Sequence, residues 1–236
     1  MTRRTLRREN AASVAGPRAP RAGHRRTLPL FPLPDVVLLP GTLLPLHIFE
    51  ARYRALVADA LTGDRTIGMT MLRPGSDVSA AAPPIHPVGT AGEIVENQKL
   101  PDGRFNILLE ARFRFRVLDE EPPSPYRVAR VEEIPTATFR EPDEEERSVN
   151  SAVDLFGDVA RALELPPLPR ETITAERLAS EIALRLRYAP PELQSLLEID
   201  SLPSRFEHLR RRMLEWKSRL QFLGPYRPKD LDPRRN

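Results

Sequence analysis

The chain has no cysteine, so it can form neither a disulfide nor a thiolate metal site. Lysine is almost as scarce, with Lys99, Lys217 and Lys229 the full set. No apolar run approaches the ~20 residues that cross a bilayer. Residues 1–26 also lack the continuous apolar segment of a secretory signal, so a soluble, cytoplasmic protein is expected. The four histidines (His24, His47, His86 and His208) are scattered, and no two stand at a metal-ligand spacing such as i, i+4. His47, between Leu46 and Ile48, reads as a partly buried, hydrogen-bonded residue. There is no GxSxG elbow, and the serines sit in no recognisable nucleophile setting. The segment from Gly63 to Thr70 mimics a phosphate-binding loop, but Met69 stands where the phosphate-contacting lysine belongs. A helix precedes it and a strand follows, the reverse of the order that motif needs. These absences argue against catalysis: no enzymatic activity, no cofactor and no metal are expected.

What is present divides the 236 residues unevenly. Eight arginines (Arg3, Arg4, Arg7, Arg8, Arg18, Arg21, Arg25 and Arg26) share residues 1–26 with one acid, Glu9, giving +7. The whole chain is +3, so residues 27–236 carry −4. The basic balance therefore belongs to a non-periodic segment rich in Arg, Ala and Pro, for which residues 1–26 are expected to be a disordered tail. Such a tail could serve as an anion-binding arm, but single-sign tails are usually just solvated.

From Leu28 to Tyr53 apolar residues dominate, yet Pro29, Pro32, Pro34, Pro40 and Pro45 recur through them. Proline removes a helical hydrogen bond and clashes with the preceding turn, so this stretch reads as a pair of short strands broken by turns, with Pro40-Gly41 the clearest turn. Tyr53, Leu56, Val57, Ala60 and Leu61 then fall at helical spacing, with Gly63 placed for a positive φ at the helix end. Strands follow to about residue 135: Thr66 to Leu72, Glu93 to Leu100, Arg104 to Glu110, Arg112 to Leu118 and Tyr126 to Ile134. Pro101-Asp102-Gly103 forms a turn between the second and third of these. Many short strands with one early helix suggest a small β-barrel.

The composition shifts at Glu141-Pro142-Asp143-Glu144-Glu145-Glu146, an acidic run suited to a helix N-terminus. Val149, Val153, Phe156, Ala160 and Leu163 follow at helical spacing, and the prolines from Leu165 to Pro169 break that helix. Thr174 can cap the next helix, whose face is Leu178, Ala179, Ile182, Ala183 and Leu186. Pro190-Pro191 starts a short one. The last carries Leu202, Phe206, Leu209, Met213, Trp216 and Leu220, spaced 4-3-4-3-4 as in an a/d seam. That seam could zip two chains into a homodimer, although packing against helices of the same chain accounts for it more simply.

The same elements carry a resemblance. Leu28-Pro29-Leu30-Phe31-Pro32-Leu33, Val37-Leu38-Leu39-Pro40-Gly41, Leu44-Pro45-Leu46-His47-Ile48-Phe49-Glu50, Arg52-Tyr53-Arg54 and Gly63-Asp64-Arg65 resemble the amino-terminal, substrate-recognition domain of Lon-type ATP-dependent proteases in a small stand-alone form. Downstream, Val88-Gly89-Thr90-Ala91, Leu100-Pro101-Asp102-Gly103-Arg104 and Arg112-Phe113-Arg114-Phe115-Arg116-Val117 fit in order. The resemblance implies an α+β fold: a PUA-like β-barrel with one early helix at 27–136, a C-terminal helical bundle at 141–223, and a tail at 224–236. It also implies ATPase and serine–lysine protease modules in full-length Lon, for which this chain has no matching motif.

Fold alone does not fix function. The resemblance implies a non-enzymatic protein- or peptide-binding module acting as an adaptor or chaperone-like factor. Its partners would be unfolded or specific client polypeptides, with a protease or chaperone as a further partner class. An apolar surface between barrel and bundle is the expected docking place, and Glu50, Arg52, Tyr53 and Arg54, at a strand-to-helix junction, are the candidate protein-binding residues. The alternative is RNA binding, since Arg112 to Val117 interleaves cations with aromatic rings. On a strand, however, Phe113, Phe115 and Val117 share one face and the arginines the other. That reads as rings in the barrel core with arginines outside, and nucleic acid is not the expected partner.

Overall fold

The computed structural model describes residues 23–77, 82–122, 125–169 and 173–223. The described chain is α+β. Six strands come first, β1 (Arg25–Leu33), β2 (Leu43–Ile48), β3 (Thr66–Met71), β4 (Val88–Lys99), β5 (Phe105–Glu120) and β6 (Arg127–Ile134), with α1 (Ala51–Thr62) between β2 and β3. Four helices follow: α2 (Pro142–Leu163), α3 (Ala175–Arg185), α4 (Pro190–Glu198) and α5 (Leu202–Leu223). None of the described helices is long and apolar enough to cross a membrane.

The strands run β2-β5-β4-β3-β1-β6, and a further β5–β6 pairing closes the sheet. That closure is possible because β5 is one 16-residue strand, not the two shorter ones its sequence suggested. Its first half pairs with β2, its last part with β6, and β4 runs along most of it. The two proline-punctuated strands are neighbours in sequence but not partners: β1 lies between β3 and β6, and β2 hangs on β5. The Pro101-Asp102-Gly103 turn joins β4 to β5 as expected, with Gly103 at φ 82° and its N–H donating to the Leu100 carbonyl at 2.9 Å.

Apolar side chains collect in three places. Leu28, Leu30, Ala91, Phe115, Ala129 and Val131 fill the barrel interior. Tyr53, Leu56, Val57 and Ala60 fix α1 against Phe31, Ile48, Ile67 and Leu109. The bundle core is built from α2 to α5 and takes in Leu39 and Val88 from the barrel side. At the end of α1, Gly63 has φ −103° and the left-handed residue is Arg65, at φ 61°. The turn closes two residues later than the glycine implied because the Arg65 N–H also returns to the Ala60 carbonyl. In α2 the buried face is Ala152, Phe156, Val159 and Ala160, whereas Val153 is exposed. Thr174 caps α3, accepting the Arg177 N–H at 3.2 Å. Leu202, Phe206, Leu209 and Met213 of the α5 seam are buried in this chain's own bundle core, with Trp216 and Leu220 partly buried beside them.

Two features join barrel to bundle. The Pro40-Gly41 turn packs on α3, where the Ser180 hydroxyl donates to the Pro40 carbonyl at 2.8 Å. Gly41 has φ +74°, and a Cβ there would stand 2.8 Å from the Arg177 Cβ. The second feature is Arg114, which overturns the reading of Arg112, Arg114 and Arg116 as outside residues. It does leave the barrel on the face opposite Phe115, but the bundle covers that face and Arg114 is only 2 % exposed. Its Nε donates to Thr136 Oγ1 (3.2 Å), its Nη1 to the Leu197 carbonyl (2.8 Å), its Nη2 to the Pro135 carbonyl (3.0 Å), and both Nη atoms to Asp200 Oδ1 (3.1 Å each). Arg112 is held by Glu93 and Glu110, and Arg116 is exposed.

β1 reaches back to Arg25, so Arg25 and Arg26, assigned to the tail, are ordered residues that pair with Glu132 and Glu133. The rest of the expected tail, residues 1–22, and the tail at 224–236 lie outside the described residues.

Arg114→Ala should lower unfolding stability by about 3 kcal/mol, because several charge-assisted bonds are lost and two carbonyls are left unpaired. Arg114→Lys should recover less than half, since an ammonium cannot reproduce the guanidinium fork. Urea midpoints of the full chain decide this, and a shift worth under about 1 kcal/mol for Arg114→Ala would show that the network does not hold the two parts together. Gly41→Ala should cost about 1–3 kcal/mol in the same assay, from positive φ and the approach of α3.

Candidate functional site

The β2–α1 junction reverses direction at Glu50, whose carbonyl accepts the Tyr53 and Arg54 N–H groups at 3.1 and 2.9 Å. Glu50 occupies the N-cap position, but its side chain does not cap the helix. The carboxylate turns instead to Arg52, with Oε2 3.0 Å from Nε and 2.9 Å from Nη2. Arg52 lies flat over the Tyr53 ring, its guanidinium carbon 4.6 Å from the centroid. Tyr53 packs its other side on Phe31, ring centre to ring centre 4.2 Å. Both residues lie in the first turn of α1, and burial of Tyr53 in the α1 core fixes the ring on which Arg52 rests.

These three residues wall a cleft of about 230 Å³. Its other walls are Pro32, Leu33 and Pro34 at the end of β1, Leu72 after β3, Pro83, and Pro125, Tyr126 and Arg127 at the start of β6. All belong to the barrel part, so the cleft does not lie between barrel and bundle, where an apolar docking surface was expected. That junction is filled by Arg114 and its partners. Arg54, the fourth candidate, points away: its Nη1 donates to the Asp102 carbonyl at 3.3 Å, beside the β4–β5 turn. Helical spacing separates it from Arg52, because residues two apart face different sides.

Two polar side chains hold the walls in place. Arg127 is buried and bidentate to Glu120, at 2.7 Å from Nε and 2.7 Å from Nη2, while its Nη1 donates to the Pro83 carbonyl at 2.5 Å. The Tyr126 hydroxyl donates to Asp59 on α1 at 2.7 Å, and burial together with this carboxylate pushes its pKa up to about 12. The Tyr53 phenol is likewise raised, chiefly by burial, against the opposing field of Arg52. Both phenols are therefore neutral donors at physiological pH. The Tyr53 hydroxyl has no hydrogen-bond partner among the described residues. It is also absent from the fully enclosed polar atoms, and Tyr53 lines the cleft.

Sequence reading found Glu50, Arg52 and Tyr53 but missed the opposite wall. The residues there are Pro83, Pro125, Tyr126 and Arg127, which no sequence motif ties to Glu50, Arg52 and Tyr53. Among the described residues that line the cleft, none is a serine, threonine, cysteine, histidine or lysine. Among the described residues no group of His, Asp or Glu could hold a metal ion. His47 is exposed, not partly buried, although its Nδ1 does lie 2.7 Å from Asn106 Oδ1. It sits on the outer position of β2, the terminal strand.

Residues 27–215 match the family model described as the ATP-dependent protease La (LON) substrate-binding domain. The Lon protease of Flavobacterium johnsoniae is 27 % identical over 188 residues, covering 76 % of this chain and 23 % of that protein. The Lon protease of Dictyoglomus thermophilum is 30 % identical, again over 76 % and 23 %. This chain thus spans about a quarter of the length of the curated relatives it matches. Among solved structures, the Lon N-terminal domain protein from Xanthomonas campestris is 28 % identical with a TM-score of 0.56, covering 78 % of this chain and 96 % of that one. The N-terminal domain of Mycobacterium avium complex Lon protease, at 17 % identity and a TM-score of 0.60, covers 82 % and 98 % and shares the fold.

Replacing Tyr53 with Phe keeps the ring under Arg52 and removes a hydroxyl that nothing holds. Thermal unfolding should register less than about 0.5 kcal/mol for Tyr53→Phe, against about 3–5 kcal/mol for Tyr53→Ala, which empties the α1 core. A large loss for Tyr53→Phe would mean that the hydroxyl has a structural partner.

Proposed function

The chain belongs to the family of the ATP-dependent protease La (LON) substrate-binding domain, and on that premise we propose that it binds polypeptide non-covalently at the cleft walled by Arg52, Tyr53 and the prolines opposite. One observation supports the placement above the others: three residues singled out from the sequence meet apolar walls in a single concave site. Apolar side chains of a client would fill the space between Pro32, Pro34, Pro83 and Tyr126, as side chains of extended peptides fill apolar grooves. The clients are unfolded or specifically tagged polypeptides, and the module serves a protease or chaperone as an adaptor.

The open edge of β2 is a poorer docking place. The Ala111 N–H donates to the Thr42 carbonyl at 3.0 Å, which turns the Thr42, Leu44 and Leu46 backbone toward β5 and the Pro45 backbone outward. Proline has no N–H to offer a third strand, which blunts that edge. The RNA-binding alternative loses its main motif, because Arg114 is buried and Arg112 is ion-paired on both sides.

The test is fluorescence anisotropy of the full chain with a permanently unfolded, labelled polypeptide and, in parallel, with labelled single-stranded RNA. Polypeptide binding should fall no more than about threefold between low and moderate salt, whereas phosphate-driven binding would fall by orders of magnitude. Pro34→Glu, at an exposed wall position, should weaken polypeptide binding about tenfold while changing stability by less than about 1 kcal/mol. Salt-sensitive RNA binding with no polypeptide binding would overturn the assignment.

A further inference from the structure

Two side-chain donors of residues lining the cleft have no partner among the described residues. Arg52 uses Nε and Nη2 on Glu50, and no partner is found for its Nη1 among the described residues. The Tyr53 hydroxyl beneath it is also unpartnered, as described above. Four of the remaining walls, Pro32, Pro34, Pro83 and Pro125, have no N–H and present rings to a ligand. Arg127 adds nothing to that pair of donors, because Glu120 and the Pro83 carbonyl take all of its nitrogens. The unpartnered side-chain positions are thus two donors on adjacent residues, one of them on a cation, and a carboxylate is a group that satisfies both.

Size narrows the source of that acceptor. At about 230 Å³ the cleft is below the ~300–1,000 Å³ that encloses a drug-sized ligand, so it takes roughly one or two residues of a chain. An aspartate or glutamate side chain would satisfy the donors but leave the proline and leucine walls uncovered. A chain terminus brings both parts on one residue: a carboxylate for Arg52 and Tyr53, and an apolar side chain for Leu33, Leu72 and the prolines. Resting on the function proposed above, we infer that the cleft is a receptor for the free C-terminal carboxylate of a polypeptide whose last residue is apolar. Arg52 Nη1 and the Tyr53 hydroxyl hold the carboxylate, and the Glu50 pair fixes the guanidinium before the client arrives. Preorganisation of this kind lowers the ordering cost of binding.

The experiment uses the full chain and a short labelled peptide ending in leucine, read by fluorescence anisotropy. The peptide is compared as free acid, as C-terminal amide, and as an amide carrying an interior aspartate. Amidation should weaken binding about tenfold, or 1.4 kcal/mol, and the interior aspartate should not restore it. Arg52→Ala should weaken the free acid about tenfold and leave the amide unchanged, Tyr53→Phe should weaken the free acid a few-fold, and Arg116→Ala, away from the cleft, should change neither. Urea midpoints confirm that each variant is folded. Equal binding of acid and amide, both weakened alike by Pro34→Glu, would overturn the terminus assignment and leave the polypeptide-binding site standing. Restoration by the interior aspartate would assign the donors to side-chain carboxylates and overturn it also. No binding of any peptide, or of the unfolded polypeptide, would remove both.

Discussion

A guanidinium has five N–H donors and cannot leave water unless nearly all find acceptors. Arg114 is 2 % exposed, and its acceptors come from two parts of the fold. Thr136 and the Pro135 carbonyl belong to the segment leaving the barrel, and the Leu197 carbonyl and Asp200 belong to the end of α4. Burial lowers the Arg114 pKa and the Asp200 carboxylate opposes that shift, so the residue remains a cation at physiological pH. Around it, Thr136 donates to Glu176 at 2.7 Å, and Arg205 donates to the same carboxylate at 3.1 Å. Arg205, pushed down to about 10 mainly by burial and next by Arg114, is the second buried cation of this network. The barrel and the bundle can therefore adopt few relative positions without stranding a charge. Backbone bonds on either side of the network, Ala137 N–H to Asp200 and Leu202 N–H to Ala137, both 2.8 Å, lock the linking segment in the same place.

A concave surface of the barrel lies away from that junction, where α1 starts and where β1 ends. Three constraints converge there. Tyr53 is committed to the α1 core by its contact with Phe31, Arg52 is committed to the Tyr53 ring and to Glu50, and Arg127 is committed to Glu120 and the Pro83 carbonyl. None of these side chains can relax into the cleft to fill it. The walls are rigid for a further reason: four of them are prolines with φ already fixed. A site built from locked rings and prolines loses little freedom when a ligand enters, which lowers the cost of binding.

Much of this was legible in the sequence. Proline frequency excluded helices before residue 51, the period change at Tyr53 placed α1, and Thr174, Pro190 and the 4-3-4 spacing from Leu202 placed the later helices. Local chemistry decides such features, so local sequence reports them. The misses share a different cause. Alternation along Arg112 to Val117 assigned Arg114 correctly to the face opposite Phe115, but periodicity tells which face a side chain takes, not whether another layer covers that face. A register shift near Ala91 and Gly92, opposite Arg112, further breaks the alternation. Val153 was misplaced because a 4-3-4 spacing and its neighbour one position earlier are nearly degenerate on a helix, and only the partner helix selects between them. Gly63 was given the left-handed turn that Arg65 takes, since glycine permits positive φ without requiring it.

The sequence by itself determined the order and kind of the elements, the family to which the chain belongs, and Glu50, Arg52 and Tyr53 as residues of interest. These depend on neighbours a few positions apart. Tertiary structure alone decided that Arg54 leaves the group, that Pro83, Pro125 and Tyr126 join it, and that the barrel–bundle junction is sealed by buried charge. Those outcomes depend on residues 30 to 90 positions apart meeting through sheet closure by β5, and no local period encodes which distant strands a long strand will accept.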